Sequence, residues 1–502
     1  MKTCRPAACM TFVLLNTVAL IADDGQPQAI DIGSRRELFV DDFLFDKVMG
    51  STTHKLHHPQ AREIVMTHDA AWEGNGSNYH TILQDGDLYR LYYRGAQFDL
   101  EDGKLRQGHP QVTCYAESRD GIHWEKPHLG LFDWEGSREN NIILTTSPST
   151  HNFAPFKDTR PDVPPDQQYK ALASAAGKKG LAAYVSADGI RWRLMVDEPV
   201  ITEGAFDSQN LAFWDAQRGE YRAYYRDFRK GYRDIRTAVS KDFVTWEGGD
   251  WLNYGDAPRA HLYTNQVQPY PRAPHLLIGL PTRYVDRGWT GSMKELPELE
   301  HRELRASVNP RYGTALTDLV LMSSRDGQTF HRWNDAFLRP GPERSGTWNY
   351  GHLYTACGLV RTAPTIEGQP DELSLYGTEG GWTNARLRRY SLRIDGFASI
   401  NADGDGGELR TRPVVFSGDQ LVLNLATSAV GFIKVVLQDV DYNEIDGFGI
   451  NDAAPIFGDA IEREATWQGN PDLSKLEGRP VRIRFVLKEA DLFSFQFKTA
   501  GN

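Results

Sequence analysis

Four copies of one seven-residue turn constrain this chain more than any other feature of its sequence. Ser118-Arg-Asp-Gly-Ile-His-Trp124 recurs as Ser186-Ala-Asp-Gly-Ile-Arg-Trp192, as Ser240-Lys-Asp-Phe-Val-Thr-Trp246 and as Ser324-Arg-Asp-Gly-Gln-Thr-Phe330. A degenerate fifth copy falls at Asp395-Gly396-Phe397. The aspartates at 120, 188, 242, 326 and 395 are 68, 54, 84 and 69 residues apart, about the length of a four-stranded propeller blade with variable loops. The chemistry of the turn fits that reading. Ser and Asp side chains accept hydrogen bonds from backbone N–H groups two residues on, Gly supplies a position with φ > 0, and the aromatic that follows can fill the wedge between neighbouring blades. The heptad is therefore scaffold, and function is expected at a mouth of the central channel.

The segments between the turns read as strands. Asn78 to Leu83, a hairpin at Asp85-Gly86, Leu88 to Arg94 and Val112 to Ala116 make a first blade. Tyr221-Arg-Ala-Tyr-Tyr-Arg226 in the third blade echoes Tyr89-Arg-Leu-Tyr-Tyr-Arg94 in the first. The early strand Glu37 to Val40 is expected to help close the ring, and the polar insertion from Asp286 to Arg311 to form a lid or rim loop. After residues 401–407, a turn-rich linker, the pattern changes to alternating strands such as Leu421 to Leu425, Phe432 to Gln438 and Leu492 to Lys498. The expected class is all-β, a five-bladed β-propeller over 37–400 followed by a C-terminal β-sandwich over 408–502, with 23–36 disordered or extended.

Lys2 and Arg5 precede an apolar run from Ala7 to Ala22, followed by Asp23 and Asp24, the pattern of a signal peptide over 1–22. The mature chain is then expected outside the cytoplasm, secreted or periplasmic, with no transmembrane segment. Loss of Lys2 and Arg5 would take the net charge from −11 to −13. With no long basic cluster, nucleic acid is excluded as a partner. Cys114 and Cys357 would remain, as buried free thiols or as one bridge. His54, His57 and His58 crowd together without matching acidic ligands, so neither a metal nor another cofactor is expected.

The Ser-x-Asp-x-x-x-Trp skeleton, the five repeats and the terminal sandwich resemble the five-bladed-propeller glycosidases of glycoside hydrolase families 32, 43 and 68. That resemblance implies carboxylates at the channel mouth, one a nucleophile or base, one an acid and one orienting the sugar, acting on a poly- or oligosaccharide. Phe156-Lys-Asp158-Thr-Arg-Pro161 is comparable to the family 32 Arg-Asp-Pro segment, with Thr-Arg inserted before Pro. Phe206-Asp207-Ser208 stands where that family has a Glu-Cys pair. The family's Asn-Asp-Pro-Asn-Gly motif has no copy in Trp72-Glu73-Gly-Asn-Gly-Ser-Asn78. The candidate catalytic acids are Asp158, Asp207 and Glu379, with Glu73 in reserve. Arg94, Arg226 and Arg283 each end a second strand and are expected to converge on the funnel, which suits a carboxylate or sulfate on the sugar. Asn78, Asn210, Asn265 and Asn349 are candidates for binding sugar hydroxyls. The alternatives are a carbohydrate-binding propeller without catalysis and a glycoside phosphorylase whose arginines hold phosphate.

Overall fold

The computed structural model describes residues 28–470 and 472–501. The expected signal peptide lies outside them. Five antiparallel sheets follow one another in a ring. Blade one comprises Asn78–Asp85, Leu88–Gly95, Val112–Ser118 and Ile142–Leu144, and blade two Ala154–Lys157, Tyr169–Ser174, Leu181–Ser186 and Arg193–Leu194. Leu211–Asp215, Glu220–Arg229, Tyr232–Ser240 and Trp246–Trp251 form blade three. In blade four the first two strands are each interrupted, as His261–Leu262 with Gln268–Tyr270 and Ala273–Gly279 with Thr282–Asp286, and Ala315–Ser324 and His331–Leu338 complete it.

The turn motif does what its residues dictate. In the first copy Asp120 Oδ1 accepts the N–H groups of Ile122 and His123, both at 2.8 Å, while Ser118 Oγ accepts that of Gly121 at 2.9 Å. The other three copies repeat these bonds. Gly121, Gly189 and Gly327 sit at φ of +74, +75 and +82°, and in the third copy Phe243 takes φ +68°, a conformation disfavoured for a side chain of that size. Each turn also locks one blade to its predecessor. The hydroxyl of Tyr376 in blade five donates to Gly121 O, and that of Tyr224 in blade three to Gly327 O. Trp124 meets Tyr376 edge-on, Trp192 meets Tyr92 and Phe330 meets Tyr224. Phe330 is fully buried, whereas the three tryptophans are half-buried at the rim of these interfaces.

Ring closure departs from expectation. Blade five orders as Val360–Thr362, Glu372–Glu379, Arg386–Arg393 and then Gln60–Thr67, so its outer strand comes from the N-terminal side of blade one. Glu37 to Val40 takes no part: Arg36–Leu38 pairs with the C-terminal strand Arg482–Lys498. Ile30–Gly33 pairs with Val414–Phe416, Phe45–Gly50 with Gly407–Thr411, and Thr53–Leu56 with Ala398–Ala402. Residues 30–56 thus belong to the sandwich, because Ile32, Phe39 and Leu44 bury themselves in its core beside Leu423, Phe485 and Phe495. Residues 401–407 are a hairpin inside that unit rather than a linker, since the strands on either side, Ala398–Ala402 and Gly407–Thr411, both pair with Arg482–Lys498.

Asp395 occupies the position of a fifth motif but not its chemistry. Its carboxylate is fully buried and accepts from Tyr270 Oη (2.6 Å), Arg272 Nε (3.0 Å) and Ser494 Oγ (2.9 Å), with Arg36 Nη1 at 3.6 Å. One side chain therefore ties blade four, the N-terminal segment and the sandwich. Cys114 and Cys357 are free thiols, and His54, His57 and His58 bond to Phe39 O, Ser399 Oγ and Phe337 O respectively. Among the described residues no helix is long and apolar enough to cross a membrane.

Candidate functional site

The innermost strands all start at one end of the ring, and in an antiparallel blade the second strand ends there too. That mouth holds a cavity of about 150 Å³ bordered by Asn78, Arg94, His151, Asp207, Tyr263 and Trp382, among others. Its walls are aromatic. Tyr79, Tyr263 and Tyr354 form one buried cluster, Tyr263 and Tyr354 lie with ring centroids 4.8 Å apart, and Tyr350 meets Tyr263, Tyr312 and Trp382. Burial pushes the phenols of Tyr79, Tyr263, Tyr350 and Tyr354 upward, so they stay protonated.

Below the cavity the channel is closed by two glutamines. Gln209 Nε2 reaches across from blade three to Tyr79 O, His80 O and Thr81 Oγ1 of blade one. Gln266 of blade four donates to Gln209 Oε1 and to Thr355 O of blade five. The cavity is therefore a blind cup.

Asp207 is its exposed carboxylate. Oδ1 lies 3.1 Å from His151 Nε2 and Oδ2 lies 3.7 Å from Arg226 Nη2. Partial burial disfavours its charge, but the His151 hydrogen bond and the Arg226 charge outweigh that and hold the carboxyl below its ordinary range. His151 is pushed down by burial, and neighbouring Arg94 adds to that against the opposing pull of Asp207. The neutral tautomer with its proton on Nε2 satisfies both neighbours, donating to Asp207 and accepting at Nδ1 from Arg94 Nη1 at 3.1 Å. Gln111 Oε1 stands at 3.1 Å from the same Nδ1. Arg94 is anchored by Gly76 O and lies over the rings of Tyr79 and Phe98. Arg226 donates from Nε to Ala205 O and lies over Phe228 and Tyr263.

The other sequence candidates separate from this group. Asp158 follows the far end of the strand Ala154–Lys157, next to the Asp85 hairpin, where it accepts from Lys170 Nζ (2.5 Å) and Tyr221 Oη (2.6 Å). Glu379 does end its strand at the mouth, but strand alternation turns it away. Thr378 borders the cavity, whereas Glu379 is buried against Arg344 and Arg388 Nε (2.6 Å). Glu73 is held by Tyr93 Oη (2.5 Å) and Lys126 Nζ (2.7 Å). Arg283 makes a two-pronged bond to Asp318 and borders a different cavity. Asn78 borders the mouth. Asn210 and Asn265 spend their amides on backbone carbonyls, and Asn349 is buried with both side-chain polar atoms unpartnered.

Sequence reasoning missed His151, the tyrosines and the helical edge of the cup. His151 precedes the first strand of blade two just as Asp207 precedes that of blade three, and that symmetry was available as a signal. The insertion folds into helices Gly291–Glu295, Leu299–Val308 and Pro310–Thr314, placing Arg311 and Tyr312 on the cavity. Its buried Arg302 and Arg305 fasten it to Trp348 O and Gly381 O.

No protein-family model matches this sequence. Uncharacterized proteins from two Mycobacterium tuberculosis strains are 31% identical over 140 residues, covering 27% of this chain and 40% of their own length. The chain thus matches only two fifths of those relatives. Among solved structures it is similar to an N-acetylgalactosamine deacetylase from F. plautii in complex with blood group B trisaccharide, at TM-score 0.44 and 13% identity over 68% of this chain and 96% of that one. A putative glycosidase from Bacteroides thetaiotaomicron gives 0.39 and 16% over 66% and 96%. A fructofuranosidase from Schwanniomyces occidentalis complexed with fructosylnystose gives 0.38 and 10% over 87% and 97%. Likenesses this distant carry no argument about activity, which rests on the mouth itself.

Proposed function

We propose that the protein is a carbohydrate-active propeller whose blind cup binds an anionic poly- or oligosaccharide and hydrolyses it, with Asp207 as the base or nucleophile. The observation that carries this reading is one exposed carboxylate, held by His151 and flanked by Arg94 and Arg226, at the open end of an aromatic-walled cup. Aromatic faces stack on the apolar faces of sugar rings, and the few polar groups between them fix orientation. Arg94 borders the cavity and the buried Arg226 stands 3.7 Å behind Asp207, and these are the cations we assign to a carboxylate or sulfate on the sugar. Because Asp207 is ionised at neutral pH, it can accept a proton or attack a carbon, and it cannot begin as the acid. The proton for the leaving oxygen then has to come from a second group, and His151 can supply it only as imidazolium, a form that Asp207 beside it stabilises.

A second reading, binding without turnover, is favoured by one specific observation. Asp158, Glu379 and Glu73 are all committed to cationic partners away from the cup, leaving one carboxylate where glycosidases place two. The purified chain should be tested on neutral, uronic and sulfated glycans, with and without phosphate. Hydrolysis of an anionic glycan is expected, with Asp207→Asn keeping affinity and losing turnover by about a hundredfold or more. Binding without turnover would establish the second reading, phosphate-dependent cleavage would mark a phosphorylase, and failure to bind any glycan would overturn the proposal.

A further inference from the structure

Arg283, absent from the mouth, points to a second surface. It borders a cavity of about 570 Å³ on blades three and four. That cavity shares Tyr232, Arg259 and Arg332 with a neighbour of about 330 Å³, and Arg283, Arg287 and Asp318 with another of about 550 Å³. The three are one groove. Arg229, Arg259, Arg287 and Arg339 line it, all are exposed, and none makes an ion pair or a side-chain hydrogen bond among the described residues. The chain as a whole has a net charge of −11, so this run of cations opposes the overall charge.

Aromatic rings alternate with these cations. Tyr232 is 36% exposed and stacks on His261 with centroids 4.7 Å apart, Arg229 lies over Trp251, and Arg332 over Tyr254. The groove also adjoins the cup: Tyr284 on its wall meets Tyr350, which meets Tyr263 inside the mouth. Arg233 lies over both Tyr263 and Tyr284.

We infer that this groove is a second binding site for a chain of anionic polysaccharide, beside the mouth. The choice of polysaccharide rests on the reading of the mouth as a sugar site, and on the carboxylates of Asp234 and Asp335 among the arginines. Such carboxylates accept hydrogen bonds from sugar hydroxyls, and they would repel the closely spaced phosphates of a nucleic acid. Unpaired guanidiniums bind the carboxylates or sulfates at intervals along the polymer, and exposed rings stack on the residues between them.

The test is affinity electrophoresis of the whole chain through gels containing polygalacturonate, chondroitin sulfate or neutral dextran, beside calorimetry with a short uronic oligosaccharide and with single-stranded oligothymidylate. The variant Arg259→Glu/Arg287→Glu changes two exposed positions, and circular dichroism checks that it folds. Retardation by at least one polyanion and not by dextran is expected, with affinity for that polymer falling about tenfold or more in the variant and binding of the short oligosaccharide unchanged. Equal retardation of variant and native protein, or tighter binding of oligothymidylate than of every polysaccharide, overturns the inference. If the polymer is held through Arg259 and Arg287 while no short oligosaccharide binds, the groove stands and the reading of the mouth falls.

Discussion

Asp120 carries a whole turn on one oxygen: its Oδ1 accepts two backbone N–H groups and the Ser118 hydroxyl. Asp120→Ala should therefore cost about 1–2 kcal/mol, read as a lower denaturant midpoint with the same slope, and should leave glycan binding untouched. An unchanged midpoint would mean that water replaces these bonds at no cost. At this scale the sequence was informative about backbone chemistry and poor about electrostatic partners. Ser, Asp and Gly at fixed spacing dictate a turn locally. Whether Asp158 is a catalyst or half of an ion pair depends on Lys170 and Tyr221, which no local pattern brings to it. Arg94 borders the mouth cavity and Arg226 comes within 3.7 Å of Asp207, whereas Arg283 pairs with Asp318. Buried histidines show the same dependence on surroundings. Burial lowers His68 and His352 to about 3 and His80 well below its ordinary value. Their unfolded value is about 6.5, so the stability gained by keeping them neutral is complete above that pH and is lost as pH falls toward the folded values. Between about pH 6.5 and pH 5 each of His68 and His352 should remove about 2 kcal/mol. Urea midpoints measured across that window should fall, and more gently in His352→Asn; a flat profile would show these rings reachable by protons in the folded state.

Among elements, the strands read from alternation and turn residues are present, and the pairings that cross the sequence are where reading failed. Gln60–Thr67 carries nothing that announces blade five, because an outer strand needs only a half-buried face, and any such strand meets that condition. Arg36–Leu38 looks the same as a propeller strand until its neighbours are known. The insertion was legible as polar and as a rim element; its helices were not, since Arg302 and Arg305 are buried there by carbonyl partners rather than by an apolar stripe. Phe39 tests the corrected assignment. It packs against Phe45, Phe485 and Phe495 with ring centroids about 6 Å apart. Phe39→Ala should cost about 3–5 kcal/mol, and limited proteolysis should then open first within residues 398–501. Cleavage first in the strands of blade one would return this segment to the propeller.

Taken whole, the molecule is two units, a sandwich built from segments on both sides of the propeller and the propeller built from the residues between them, with Asp395 at the crossing. Repeat spacing announced five blades because four of them are each a local product of a hundred residues or fewer, and the fifth borrows only its outer strand from far away. The shared sheet could not be announced, since it joins residues more than 400 positions apart. Closure of blade five by Gln60–Thr67 against Arg386–Arg393 also has a consequence in time. On a ribosome adding about 5–20 residues per second, the first of these strands emerges roughly 15–65 s before its partner. Through that interval four blades can assemble while the ring stays open, with Gln60–Thr67 unpaired and the apolar faces of the first and newest blades uncovered. An unpaired strand is a template on which another chain can pair. The strand Arg482–Lys498, which secures Arg36–Leu38, is translated later still, so the first strands of the sandwich wait longer for their partner than Gln60–Thr67 does.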